Sequence, residues 1–151
     1  MKHLLSYCLF VTGLFSGFVA SAQLPDCTLG IGGKDTEVLI QVFQLNDEQK
    51  NALNIWAGEL QTQNKLKEEE IKLLLDKHPQ STQKDLETLA KKYKVLKDQM
   101  LATSKSYDQK LLGLFNPRQY QRYVELCSEA LRTPITPIAA EQLSTAPEDP
   151  E

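Results

Sequence analysis

Between residues 81 and 115 one helical stripe dominates the sequence. Leu86, Leu89, Tyr93, Leu96, Met100, Thr103 and Tyr107 follow one another at intervals of three and four, and Lys110 and Leu114 keep the count. Only an α-helix gathers that spacing onto one face. The opposite face carries Lys84, Asp85, Lys91, Lys92, Lys94, Lys105 and Asp108, so the stripe calls for a partner helix on one side only. Residues 47–76 supply it, with Leu53, Trp56, Leu60, Ile71 and Leu74 at similar spacing and no proline. Their middle, QTQNKLKEEE, is polar except for Leu66, which weakens the seam there. His78-Pro79-Gln80 then breaks the chain, because Pro79 disfavours helix in the residue before it. Two helices of about thirty residues make an antiparallel hairpin ~45 Å long.

Two phrases mark where helices begin. In Leu45-Asn46-Asp47-Glu48-Gln49 and Phe115-Asn116-Pro117-Arg118-Gln119, an asparagine stands three residues before a glutamine. That is capping-box spacing, in which the two side chains satisfy backbone N–H groups left unpaired at a helix start. Pro117 suits the first helical position. Leu45 and Phe115 precede the caps as hydrophobic staples, Phe115 with Tyr120 as its partner. Ser81 or Thr82 can cap the second long helix, and Gly113 can relax its end. A hairpin that rises from Asp47 and returns by Gly113 brings both phrases to the same end. The helix after Pro117 then carries Tyr120, Tyr123, Val124 and Cys127 back towards it.

The N-terminus reads as an export signal. Lys2 and His3 are followed by an apolar run from Leu4 to Ala20 and the small-residue site Ala20-Ser21-Ala22, which predicts cleavage after Ala22. The run of about seventeen residues is short for a membrane anchor. Cys8 lies inside it behind Tyr7, which does not make a lipidation site. The mature chain then keeps two cysteines, Cys27 and Cys127, in an oxidising setting. An intramolecular bridge between them would close a loop of about 100 residues, worth up to ~4.7 kcal/mol. A free thiol and an intermolecular bond are the alternatives. Residues 23–132 carry sixteen basic and sixteen acidic side chains, which is not the electrostatic footprint of a nucleic-acid binder.

Two segments remain. In residues 35–45, Val38, Ile40 and Val42 alternate as in a strand, while Val38, Leu39, Val42 and Phe43 make a helical face. With no second strand in view, a short helix is the expectation. The preceding TLGIGGKD matches neither a P-loop nor a dinucleotide fingerprint, and residues 23–34 read as a flexible lead-in. Residues 133–151 hold four prolines, Glu141, Glu148, Asp149 and Glu151 and no basic residue, and read as a disordered tail. The domain expected is therefore 35–132, all-α, a long antiparallel hairpin with short flanking helices.

The paired capping phrases around a hairpin, behind an export signal, resemble the Leu-Thr-x-x-Gln motifs of the periplasmic Spy/CpxP-like family. The resemblance covers residues 36–132, with Asn for Thr in both copies and Phe for Leu in one. It implies a helical cradle, usually an antiparallel homodimer, acting as an ATP-independent chaperone or a modulator of envelope stress. The chain differs from the family in its balanced charge, and the cysteine pair is an addition. Leu66, Leu73, Leu75, Val95 and Leu112 lie off the seam and could serve a second copy, or could complete a monomeric bundle.

The residues point to non-covalent binding of protein, either unfolded clients or one dedicated partner. Candidate contacts are Trp56, Tyr93, Met100 and Tyr107, which serve equally well as the seam of the bundle. No nucleophile–base pair, metal-ligand spacing or cofactor loop stands out, His78 is the one mature histidine, and Glu68-Glu69-Glu70 reads as a solvated face. Neither enzyme nor metal sensor is expected, and no cofactor or membrane contact after cleavage.

Overall fold

The protein is described by a computed structural model over residues 24–139. The expected signal sequence 1–22 with its cleavage point, and residues 140–151 of the expected tail, lie outside the described residues. Four helices dominate: α1 (Thr36–Phe43), α2 (Asp47–Lys77), α3 (Gln83–Gly113) and α4 (Pro117–Glu129). The fold is mostly helical, and α2 and α3 pack against each other as a hairpin. The ambiguous segment 35–45 is helical: α1 turns Leu39 and Phe43 inward and leaves Val38 and Val42 exposed.

Each major helix starts as its local sequence dictates. Asn46 and Asn116 accept from the backbone N–H of Gln49 and Gln119, and both glutamines return the bond to the cap backbone. Thr82 and Asp85 form a third capping box at the start of α3. His78 ends α2, its N–H donating to the Leu74 carbonyl at 3.0 Å. At the other turn, a side chain at Gly113 would collide with the Ile138 carbonyl, so glycine serves close backbone approach there more than release of the helix.

The core sits at one end, where both capping boxes meet. Leu53 and Leu60 of α2, Tyr107, Leu111 and Leu112 of α3, and Tyr123 and Cys127 of α4 form it with Leu39, Phe43 and Leu45. Cys27 and Cys127 are bonded, with Cα atoms 5.6 Å apart. We call this end the base. The rest of the hairpin is the arm, and between residues 61 and 106 only Leu89 is buried.

Three expectations need correction. The lead-in is seated on the base, not loose: Ile31 is buried. The tail begins later than Thr133. Strand β1 (Asp26–Cys27) pairs in parallel with β2 (Thr133–Pro134), and Ile135 is buried beneath them. The Tyr123 hydroxyl explains both, since it donates to the Cys27 carbonyl at 2.7 Å and accepts from the Ile135 N–H at 2.9 Å. Asp108, placed on the solvated face by spacing, is 1 % exposed, while Leu112, off the seam and open between a second copy and a monomeric bundle, is 2 % exposed and completes the bundle. The N- and C-terminal segments cover a second face of α3 at the base, which a two-helix count does not foresee. Phe115 and Tyr120 both pack against this core, with the Phe115 ring centroid 4.9 Å from that of Phe43 and Tyr120 beside Tyr123.

Candidate functional site

The glutamines of the two capping phrases hold each other. Gln49 Nε2 donates to Gln119 Oε1 at 2.8 Å, and Gln119 Nε2 donates to Gln49 Oε1 at 2.9 Å. The remaining amide hydrogens go to the Leu114 carbonyl at 2.7 Å and the Phe43 carbonyl at 3.0 Å. Each Oε1 also accepts the N–H of its own cap, Asn46 or Asn116. Two buried amides thus use all their hydrogens and both oxygens, with no water required. The clamp is an architectural lock between α2 and α4. Beside it lies an open cleft of about 530 Å³ between the end of α1 and α4. It is lined by Arg118 and by Arg122, which pairs weakly with Glu125 at 3.7 Å in solvent.

The four candidate contact residues divide between base and arm. Tyr107 is buried, its hydroxyl donating to Glu59 at 3.1 Å and accepting from Gln63 at 3.2 Å. Burial pushes its phenol up, and the Glu59 carboxylate adds to the effect. Lys110 stands 4.5 Å from the Tyr107 ring centroid and 5.8 Å from that of half-buried Trp56. Trp56 and Tyr107 are therefore committed to the seam. Tyr93 and Met100 belong to the arm, Tyr93 exposed and Met100 half-buried.

The arm is where apolar surface meets solvent. Met100 and Thr103 face Gln63, Leu66 and Lys67 across a cavity of about 280 Å³, where the polar run of α2 fails to close the seam. Leu66 is 57 %, Val95 55 % and Leu101 66 % exposed. Leu73 follows Leu66 by seven residues and so continues its face. Leu101 escaped the sequence reading because it falls off the main stripe. The signal was there: it lies seven residues before Asp108 and eleven before Leu112, on the face that the terminal segments cover further down. Chemically the arm offers apolar contact edged by charge, with the acidic run Glu68–Glu70 on α2 and Lys91, Lys92, Lys94 and Lys97 on α3. Among the described residues no group of three His, Cys, Asp or Glu could hold a metal ion, and no helix is long and apolar enough to cross a membrane.

In comparisons with known proteins, no family model, no curated protein and no solved structure matches the chain.

Proposed function

We propose that this protein is an exported, non-enzymatic binder of polypeptides that works as a homodimer, a chaperone or stress modulator of the Spy/CpxP kind, and that the arm is its contact surface. The observation that carries the reading is the contrast along the hairpin. A capped and bridged base holds out two long helices that bury a single residue between positions 61 and 106. Leu66, Leu73, Leu75, Val95 and Leu101 stay exposed there. Such a surface gains by covering apolar area on another chain, without geometry for any one reaction. A second copy would cover part of it, and the charges favour that. Helix α2 carries seven acidic and five basic side chains, and α3 four acidic and seven basic.

The test is light scattering of an aggregating unfolded model protein, with mature oxidised protein and no ATP. Suppression near one dimer per client is expected, and it should weaken in Tyr93→Ser and Leu101→Glu, which alter the arm without touching the base. No suppression at several-fold excess sinks general client binding. It leaves an adaptor with one dedicated partner, to be sought by pull-down from envelope extract.

A further inference from the structure

The segment Leu29–Ile31 crosses the base from α4 towards α2, and its attachment is unusual. The backbone N–H groups of Leu29, Gly30 and Ile31 all donate to the Asp108 carboxylate, at 2.8, 3.2 and 3.0 Å. Gly30 and Gly32 take the left-handed conformations, φ +76° and +79°, that turn successive N–H groups inward. The glycine-rich stretch that fails as a phosphate cradle is thus an anion cradle for the protein's own side chain. Ile31 enters the core with Leu53, Leu60 and Leu111, and a Cβ added at Gly32 would press on Leu60 at 3.3 Å.

We propose that Leu29–Ile31 is a strap that covers the base end of the arm's binding face, with Asp108 as its latch, and that it lifts to lengthen that face when a polypeptide binds. The proposal rests on the polypeptide-binding reading and states how that site is regulated. Three features of the strap support it. The face under it continues along α3 to exposed Leu101, two turns from Asp108, so lifting the strap would join the buried leucines to the arm. The strap is hinged: Cys27 is bonded to Cys127 on one side and α1 begins at Thr36 on the other, so it can open as a loop without leaving. The latch is also costly. Among the described residues no lysine or arginine pairs with Asp108, and Lys105, three residues before it, binds Asp26 at 2.6 Å. Burial accordingly holds the Asp108 carboxyl above its ordinary range despite the three donors.

Native-state hydrogen exchange on the mature oxidised protein tests the opening itself. The amides of Leu29, Gly30 and Ile31 should exchange by a local opening insensitive to low denaturant, while those of Leu111 and Leu112 wait for global unfolding. Exchange of both sets together only on global unfolding overturns the strap. Two variants test its role. Gly30→Ala strains the left-handed turn but meets nothing within 4 Å, and Ile31→Ser removes the anchor. A competent open state populated at about 10 % or less means that releasing the strap tightens client binding by about tenfold or more. That gain, with helix content unchanged, is the expected result, and Gly30→Ala supplies it if Ile31→Ser does not fold. Local opening with client suppression by the wild type but no gain in Gly30→Ala overturns the lid and leaves client binding standing. Local opening with no suppression by any form overturns the binding reading, and the lid with it.

Discussion

Base and arm are built from the same two helices and differ in what fixes them. At the base, every level of structure agrees: caps, a disulfide, reciprocal amides, a tyrosine hydroxyl bridging both terminal segments, and a leucine core. In the arm, beyond the bonds of Gln63 to Tyr107 and Lys105 to Asp26 where it meets the base, the side-chain hydrogen bonds of the described residues join near neighbours in sequence, and α2 and α3 share a seam with one buried leucine. Local agreement makes a region rigid and specific. Helical propensity with a half-made seam makes a region that keeps its secondary structure while leaving apolar surface for something else. On the proposed function, the protein separates holding its shape from making contact.

The strongest way to break that division is to cut the base. Replacing both Cys27 and Cys127 by serine reopens a loop of 100 residues and should cost about 2–5 kcal/mol. Urea unfolding of the double variant measures it. A loss below about 1 kcal/mol would mean that the bridge decorates a base already held by its core. Truncation compares the two regions directly. Leu60→Ala removes a fully buried base side chain and should cost about 2–5 kcal/mol. Leu96→Ala, half-buried in the arm, should cost about 1 kcal/mol. Equal losses in chemical denaturation would erase the distinction between base and arm.

Much of this was legible from residue patterns, and the failures have one cause. The hairpin, the break at Pro79, both capping boxes and the cysteine pairing follow from interactions local in sequence, or from a single possible partner. Asp108 and Ile135 were misplaced, and Leu112 left open, because their burial depends on segments with no periodicity, Leu29–Ile31 and Thr133–Ile138, crossing α3 from far along the chain. Irregular backbone has no pattern to read, and its position is set by what it can bond. The pairing of Gln49 with Gln119 was hidden for a related reason. Each glutamine is explained by its own capping box, so nothing local shows that it has a second task.

That second task is measurable. Gln49→Ala and Gln119→Ala each leave a buried amide and a carbonyl without their partners, at a cost of about 1–3 kcal/mol per variant. Since the two act as one unit, the double variant should cost less than the sum, with a coupling of about 0.5–3 kcal/mol. A cycle run on thermal unfolding gives the number. Additive losses would reduce the clamp to two independent caps and remove one reason for calling the base a single lock.

The smallest expected effect separates two opposed forces on Asp108. Its three backbone donors favour the carboxylate, and burial favours the neutral acid. Burial is the larger, so the folded-state pKa lies above the ordinary value. For a group raised in this way, the stabilising contribution is complete below the unfolded pKa and is lost as pH rises through the folded pKa. Asp108→Asn cannot ionise, and the other carboxylates titrate alike in both proteins. The stability of the wild type relative to Asp108→Asn should therefore be highest near pH 3 and decline towards about pH 7. Paired denaturation curves across that range measure the difference. A difference that grows with pH would mean that the three donors outweigh burial. Ionised Asp108 would then tighten the strap, and the base would hold its N-terminal segment as firmly as it holds its helices.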